Sequence, residues 1–491
     1  MVFSTATNEN SPSSTTTSTR PSVLRTRTNL VNSPIMKLKR KNSDEQLLPP
    51  SKRSSTTILS ETTKNPNATL GLTDTFNNKE NKKEGKEVEE NPLVEKQQQQ
   101  TQESESKKQV VDEKTRRELE KQEIEELKKN LPFLCEYYDI MEKIGRGTFS
   151  TVYKALDIRR DLYDNEEWLS KMLSKPYTGE DKAQHLNDMK NLSEFVALKR
   201  VYSTSSPQRI SNEIHILQEL KGTSCISPLI TAFRDGDDTF VVMPYIQNDD
   251  FNDLYNTMTL LDIKSYLKSL FTALSQLHQL KIIHKDVKPN NFLYNARKRV
   301  GYLIDFGLAQ REEETKNYEE KPVAIDDVPL IEPVKGFDTK DPRKQVRANR
   351  AGTRGYRAPE VLLRVVHQTT AVDIWSAGII FLSLLTKVFP FFVGYDEADS
   401  IVEIANIFGI QELQKMALKY NRVIHTNIPG LPKQKISLKK LCAYYNGDKL
   451  KEWPEKDIRN AMNLLESCLQ LDPVTRITAQ DALNHPFLHF D

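Results

Sequence analysis

The stretch "HKDVKPNNF" at 284–292 holds three residues with the spacing of a small reaction centre: Asp286, then Lys288 and Asn291 two and five places on. A carboxylate can accept or orient the proton of an attacking hydroxyl, and an ammonium can neutralise an anion in transfer. An amide oxygen can hold a hard cation. A second carboxylate stands in Asp305-Phe306-Gly307, and a second lysine, Lys199, ends "VALK". Two oxygen ligands and two ammonium groups suit phosphoryl transfer, which needs positioning and cancelled charge more than covalent help. On this reading Asn291 and Asp305 hold the metal, and Asp286 and Lys288 serve the transfer.

"IGRGTFSTV" at 144–152 supplies Gly145, Gly147 and Val152, with Ser150 where a third glycine often stands. Glycines let a hairpin backbone pass close over phosphates, although the pattern alone also fits an ordinary glycine-bearing hairpin. The strand–turn–strand context argues against a dinucleotide site, which needs strand–turn–helix. Lys199 would grip phosphates from its strand and pair with a helix carboxylate, for which Glu213 in "SNEIHIL" is the candidate. "APE" at Ala358-Pro359-Glu360, Asp373 in "VDIWSAG" and Arg476 in "DPVTRITAQDAL" complete the set.

In this order and at these spacings the motifs resemble the eukaryotic protein kinases over about residues 137–490, and Lys288-Pro289 and Thr353 resemble the serine/threonine class. The resemblance implies an α+β bilobal fold with a small β-rich lobe and a larger helical lobe. It implies ATP and Mg2+ as cofactors, with ATP contacts at Ile144, Gly145, Gly147, Val152, Ala197, Lys199, Met243 and Tyr245. It further implies a Glu360–Arg476 pair and an Asp373 that anchors the backbone around Asp286. "STSSPQRISNEI", "RANRAGTRGYRAPEVL" and "DEADSIVEIANIFG" narrow the resemblance to the cell-division-cycle-seven kinases, most closely the budding-yeast members. The long intervals from Val152 to Lys199 (47 positions) and from Asp305 to Glu360 (55 positions) fit inserts at about 159–193 and 311–346, and a third interruption falls at 421–455. That family implies a Dbf-type regulatory subunit, minichromosome-maintenance helicase subunits as substrates, a nuclear site of action, and a preference for Ser or Thr followed by an acidic or phosphorylated residue.

The elements that must position these residues are legible in the pattern. "YYDIMEKIGRGTFSTVYKA", "EFVALKRV" and "TFVVMPYI" read as strands, and "PQRISNEIHILQEL" as a helix with Ile210, Ile214 and Leu217 on one face. Later segments such as "DIKSYLKSLFTALSQLHQL" and "VDIWSAGIIFLSLLTKV" are helical. Residues 1–111 are rich in Ser, Thr, Asn, Gln and Lys and lack apolar periodicity, which predicts a disordered tail. Basic clusters at Lys39-Arg40-Lys41 and Lys52-Arg53 read as a bipartite nuclear import signal or as a chance basic run, and Ser11-Pro12 and Ser33-Pro34 as possible phosphorylation sites. Residues 112–136 hold a charged lead-in with a thin apolar stripe, read as a solvated helix, with a docking helix as the alternative.

Composition bounds the rest. The 491-residue chain carries a formal net charge of +2, so no bulk affinity for nucleic acid or membrane is expected. Its four cysteines are scattered, which fits a reducing compartment. No apolar run reaches the ~20 residues of a membrane span, and the first residues lack a secretory core.

Arg343, Lys344, Arg347, Arg350, Arg354 and Arg357 crowd the segment before "APE". Guanidinium forks bind carboxylate and phosphate bidentately, so Arg350 and Arg354 are the expected readers of the residue after the acceptor, unless internal ion pairs take them. Trp168, Leu169, Met172 and Leu173 form an apolar stripe on the first insert that packs on its own lobe or meets a partner. Lys285 stands where an arginine usually clamps a phosphorylated residue; lysine keeps the charge but loses the fork. The phosphorylatable residues between Asp305 and Glu360 are Thr315, Tyr318, Thr339, Thr353 and Tyr356, the last two in the part that should pack on the catalytic site. Lys285 therefore predicts relaxed dependence on phosphorylation of this segment, with the partner subunit ordering it. Two rivals are a casein-kinase-type enzyme, disfavoured by "SSPQRI" and the inserts, and a non-catalytic scaffold, disfavoured by the presence of Lys199, Glu213, Asp286, Asn291 and Asp305.

Overall fold

The computed structural model describes residues 115–162, 194–312 and 351–490. The chain divides into two units, Ser33–Leu119 and the remainder. Of the first, only the helical residues 115–119 are described. The second carries the fold. It opens with helical residues 120–130 (α1) and a short helix α2 (Pro132–Tyr137), then β1 (Tyr138–Arg146), β2 (Ser150–Asp157), β3 (Phe195–Val201), α3 (Pro207–Glu219), β4 (Thr231–Asp235) and β5 (Asp238–Pro244). The strands form one antiparallel sheet in the order β1-β2-β3-β5-β4. Period-2 alternation explains its two faces. Tyr138, Ile140, Tyr153, Ala155, Val196, Leu198, Phe240 and Val242 point to one side, whereas Val201, Val241 and Met243 join the core beneath α3.

The first of these faces is covered by α1 and α2. Ile124, Leu127 and Leu134 are buried among those strand residues, and Lys143 pairs with Glu123 at 2.7 Å and Lys128 with Asp139 at 3.0 Å. The lead-in is therefore part of the small lobe's core and not a solvated helix. Ile124 and Leu127 share a buried cluster with Tyr138, Tyr153 and Phe240, and burying Leu127 contributes about 1.5–3 kcal/mol.

The large lobe is built on α5 (Leu260–Gln279), which follows the one-turn helix α4 (Phe251–Leu254). Thr259 and Asp262 close a reciprocal cap at the start of α5, which satisfies two otherwise orphaned N–H groups. The short strands β6 (Ile282–Ile283), β7 (Phe292–Asn295), β8 (Val300–Leu303) and β9 (Gln310–Arg311) pair as β6–β9 and β7–β8. They hold the loop 284–291 between them. Six further helices follow: α6 (Pro359–Leu362), α7 (Ala371–Thr386), α8 (Glu397–Phe408), α9 (Ile410–Lys419), α10 (Leu438–Leu450) and α11 (Glu455–Cys468), with α12 (Ala479–Leu483) near the end. Helix α7 is apolar all round because it is the lobe's central helix, buried along nearly its whole length.

The interruption expected at 421–455 is folded. Helix α10 lies within it, with Leu438, Cys442 and Leu450 buried in the large-lobe core and Asn446 Nδ2 donating to the Leu385 carbonyl of α7 at 2.9 Å. The lobes are joined beside α3 as well as by the chain: Leu303 N–H donates to Cys225 O at 2.8 Å and Ser227 N–H to Leu303 O at 3.0 Å. No helix among the described residues is long and apolar enough to cross a membrane.

Candidate active site

Lys199, Glu213 and Asp305 meet between the lobes. The Lys199 ammonium donates to Glu213 Oε1 at 2.6 Å and to Asp305 Oδ1 at 2.7 Å. Strand β3 brings the lysine, α3 the glutamate, and the segment after β8 the aspartate. Burial disfavours the charged lysine, but the Glu213 and Asp305 carboxylates outweigh it and raise the ammonium's pKa. The same ammonium holds the Asp305 carboxyl down at about 2 against the effect of burial. Asp305 thus stays ionised at any working pH. Its backbone is left-handed (φ +63°) and its side chain remains 45% exposed. A Cβ at Gly307 would lie 3.3 Å from Asp305 Oδ1 and 3.5 Å from Glu213 Oε2, so this glycine clears the way for the pair.

Asp286 is the hub of a second cluster. Its Oδ1 accepts from the Thr353 N–H at 2.9 Å and the Thr353 hydroxyl at 2.6 Å. Its Oδ2 accepts from Lys288 Nζ at 2.8 Å and Asn291 Nδ2 at 2.9 Å. Lys288 Nζ also donates to Thr353 Oγ1 at 2.7 Å. Thr353 stands where the sequence reading expects it, in the part of the segment that packs on the catalytic site; its partners there, Asp286 and Lys288, are what the motifs alone do not give. Its hydroxyl ties the end of the segment before "APE" to both Asp286 and Lys288. The available signal was its position five residues before Ala358, together with a hydroxyl that a catalytic-loop carboxylate can hold.

The donor set fits a hard divalent cation. Asn291 spends its amide nitrogen on the Asp286 carbonyl and carboxylate, which leaves the amide oxygen as its coordinating atom. Asp305 is ionised and partly open to the cleft. One carboxylate and one amide oxygen, with water and phosphate oxygens completing the shell, is the kind of site magnesium takes. Among the described residues no cluster of three His, Cys, Asp or Glu forms a closed protein cage for a metal.

The glycine hairpin closes the cleft from above. Register sets Gly145 opposite Val152 and Val152 opposite Lys199, and Gly147 N–H donates to Ser150 O at 2.8 Å. Neither glycine has a left-handed φ, and a Cβ at either would meet nothing closer than 3.5 Å. The protein's own packing does not demand glycine there, which fits their expected part in letting the hairpin backbone pass close over phosphates. Ala197 faces Met243 across β3–β5, and Met243 is buried. Tyr245 donates its N–H to Phe195 O at 3.1 Å and places its ring 4.7 Å from the Lys154 ammonium; Ile144 remains exposed.

Two buried anchors hold this geometry. Asp373, in the first turn of α7, accepts from the backbone N–H groups of His284 (2.8 Å) and Lys285 (2.9 Å) and lies 3.0 Å from His278 Nε2. Glu360 and Arg476 form a two-bonded pair at 2.7 and 3.1 Å, with the guanidinium 5.3 Å from the Trp375 ring. Arg476 also donates to the carbonyls of Ala371, Gln470 and Leu471.

The arginine crowd is divided. Arg343, Lys344, Arg347 and Arg350 lie outside the described residues, as do Thr315, Thr339 and the Trp168 stripe. Arg357 turns inward, to Gly352 O at 2.8 Å and to Glu397 at 3.5 Å. Arg354 stays exposed while one nitrogen donates to Tyr395 O. Lys285 is 7% exposed with φ +68°. Gly352 (φ +110°) packs so tightly over it that a Cβ would lie 2.6 Å from Lys285 O.

Comparison with known proteins gives a consistent picture. The protein kinase domain family matches residues 138–488. The cell cycle serine/threonine-protein kinase hsk1 of Schizosaccharomyces pombe is 40% identical over 388 residues, 76% of each chain. The cell cycle protein kinase spo4 of the same organism is 37% identical over 389 residues, 75% of this chain and 89% of that one. A probable cell division control protein 7 homolog 2 of Encephalitozoon cuniculi is 38% identical over 367 residues, 73% of this chain and 94% of that one.

Proposed function

The chain belongs to the protein kinase domain family and, within it, to the cell-division-cycle-seven type of serine/threonine kinase, and from that premise we propose how it works and on what. It transfers the γ-phosphoryl group of ATP to Ser or Thr hydroxyls followed by an acidic or phosphorylated residue. The substrates are minichromosome-maintenance helicase subunits, the place is the nucleus, and a Dbf-type subunit activates the kinase. The observation that carries the chemistry is the convergence of Asp286, Lys288, Asn291 and Thr353 in one hydrogen-bonded cluster.

Asp286 orients the acceptor hydroxyl and takes up its proton as the new oxygen–phosphorus bond forms and the bond from the γ-phosphorus to the bridging oxygen breaks, releasing ADP. Lys288 neutralises the transferring group's charge, and Lys199, fixed by Glu213, holds the phosphates farther from the reaction. Asn291 and Asp305 would hold magnesium, which would supply neutralisation of phosphate charge. Thr353 sets Lys288 and Asp286 in register with the segment on which the acceptor peptide lies.

Arg354 supports the acidic preference, because it is exposed and its guanidinium is braced by Tyr395 O. In transfer assays with the Dbf-type subunit, Arg354→Glu should cost roughly ten- to hundredfold on an acidic-flanked helicase-tail peptide, the scale of one charge-assisted bond. A neutral-flanked peptide should lose far less. Equal losses on the two peptides would rule out Arg354 as the reader.

Control by the partner in place of phosphorylation fits Lys285, which is buried under Gly352. Thr315→Ala and Thr339→Ala are therefore expected to retain activity in the complex within about twofold, the scale of a substitution with no dedicated role. Loss of activity in either variant contradicts this mode of control.

A further inference from the structure

Arg209 is the third residue of α3. A cation there is electrostatically misplaced, because the N-terminal turn of a helix carries positive partial charge, and α3 has no acidic residue in that turn to offset it. Three contacts account for its position. Its Nε and Nη2 both donate to the Gly307 carbonyl, at 3.2 and 2.9 Å. Its guanidinium carbon lies 5.3 Å from the centre of the Phe149 ring, at the tip of the glycine hairpin. One turn further along α3 is Glu213, which holds Lys199.

The neighbours reinforce the same junction. Asn212 Nδ2 donates to Ala309 O at 2.8 Å, so α3 grips the segment after Asp305 at two points. The Phe149 carbonyl accepts from Tyr202 N–H at 3.0 Å, which fixes the hairpin tip to the chain leading into α3. The ring contact is made here with the hairpin tip against α3, and the carbonyl contact with Gly307 following an Asp305 turned toward Lys199.

We propose that Arg209 is a positioning residue that couples closure of the glycine hairpin, through Phe149, to the metal-binding placement of Asp305, through Gly307. The proposal rests on the reading of Asp305 as the metal carboxylate and names the side chain that makes nucleotide enclosure and metal placement one event. A guanidinium can donate two bonds to one carbonyl while lying against a ring; an ammonium keeps the ring attraction but not the fork.

The test is steady-state kinetics on the full chain with the Dbf-type subunit, for Arg209→Ala, Arg209→Lys, Phe149→Leu and the Arg209→Ala/Phe149→Leu pair, with melting curves of each. Arg209→Ala is expected to lower kcat about tenfold and raise KM for ATP severalfold, with the melting midpoint little changed. Arg209→Lys should recover KM for ATP more than kcat. Phe149→Leu should raise KM for ATP with kcat nearly intact, and the pair should be no worse in KM than Arg209→Ala alone, because coupled contacts are not additive. Unchanged kcat and KM in Arg209→Ala overturns the coupling. So do losses that add in the pair, or a kcat loss that only tracks a lowered melting midpoint. Failure of the parent reading looks different: an Asp305→Asn variant would then keep full activity with magnesium-ATP.

Discussion

Asp286→Asn is expected to lower phosphoryl transfer by about a thousandfold, within the range of a lost general base, while nucleotide binding persists. The substitution keeps the shape of the side chain, so its Oδ1 can still accept from Thr353. Its new amide nitrogen, however, faces Lys288 and Asn291, both donors to the original Oδ2. Lys288 loses its nearest counter-charge and the hydroxyl proton loses its acceptor together. Asp286→Ala is harsher on the fold, since it also strands the Thr353 N–H. Comparing peptide phosphorylation with nucleotide titration in the two variants separates chemistry from structure. An Asp286→Asn enzyme keeping more than a tenth of its rate would remove Asp286 from the reaction.

Arg476→Ala is expected to cost about 3–5 kcal/mol of stability, the scale of a broken buried ion pair. Glu360 is left as a buried charge, and the carbonyls of Ala371, Gln470 and Leu471 lose their donor at the same time. Those carbonyls distinguish this pair from ion pairs that apolar residues replace without loss. A Glu360→Gln/Arg476→Met double variant should therefore remain at least about 2 kcal/mol less stable than the wild type, through unsatisfied acceptors alone. Denaturant unfolding measures both variants; a double variant as stable as the wild type contradicts the argument. Because Glu360 sits in α6 just after the Thr353 segment, activity should fall with temperature before the lobe unfolds.

The central strands and long helices were legible because they are apolar runs of distinct length. "TFVVMPYI" covers most of β5 and runs two residues past it, and "VDIWSAGIIFLSLLTKV" covers nearly all of the buried α7. The lead-in was harder. Its stripe of Leu119, Ile124 and Leu127 is thin, and Leu119 proves exposed while the other two are buried, since what they pack on arrives in β3 and β5. Local pattern carries no information about a face supplied from far along the chain. Helix α10 escaped for a related reason: its non-helical Asn446 breaks the 3.6-residue period.

In the site, residues with one dedicated motif were placed together, as with Lys199, Glu213 and Asp305. Asp373, which acts on backbone N–H groups, was legible because it stands in its own motif, but main-chain contacts outside a motif were not. Arg209 binds a carbonyl, and Thr353 uses its own N–H as well as its hydroxyl. A sequence shows which side chains are present, but main-chain partners appear only once the chain has turned.

The helix lid on the small-lobe sheet makes that lobe's core late to complete during synthesis. Ile124 and Leu127 leave the ribosome early, yet Phe240 and Val242, which complete their pocket, follow more than a hundred residues later. At ordinary elongation rates that interval lasts on the order of 10 s. Throughout it the nascent chain displays Leu127 beside Tyr138 and Tyr153 with no β5 to close over them, an apolar patch that a chaperone can hold until the last small-lobe strand arrives.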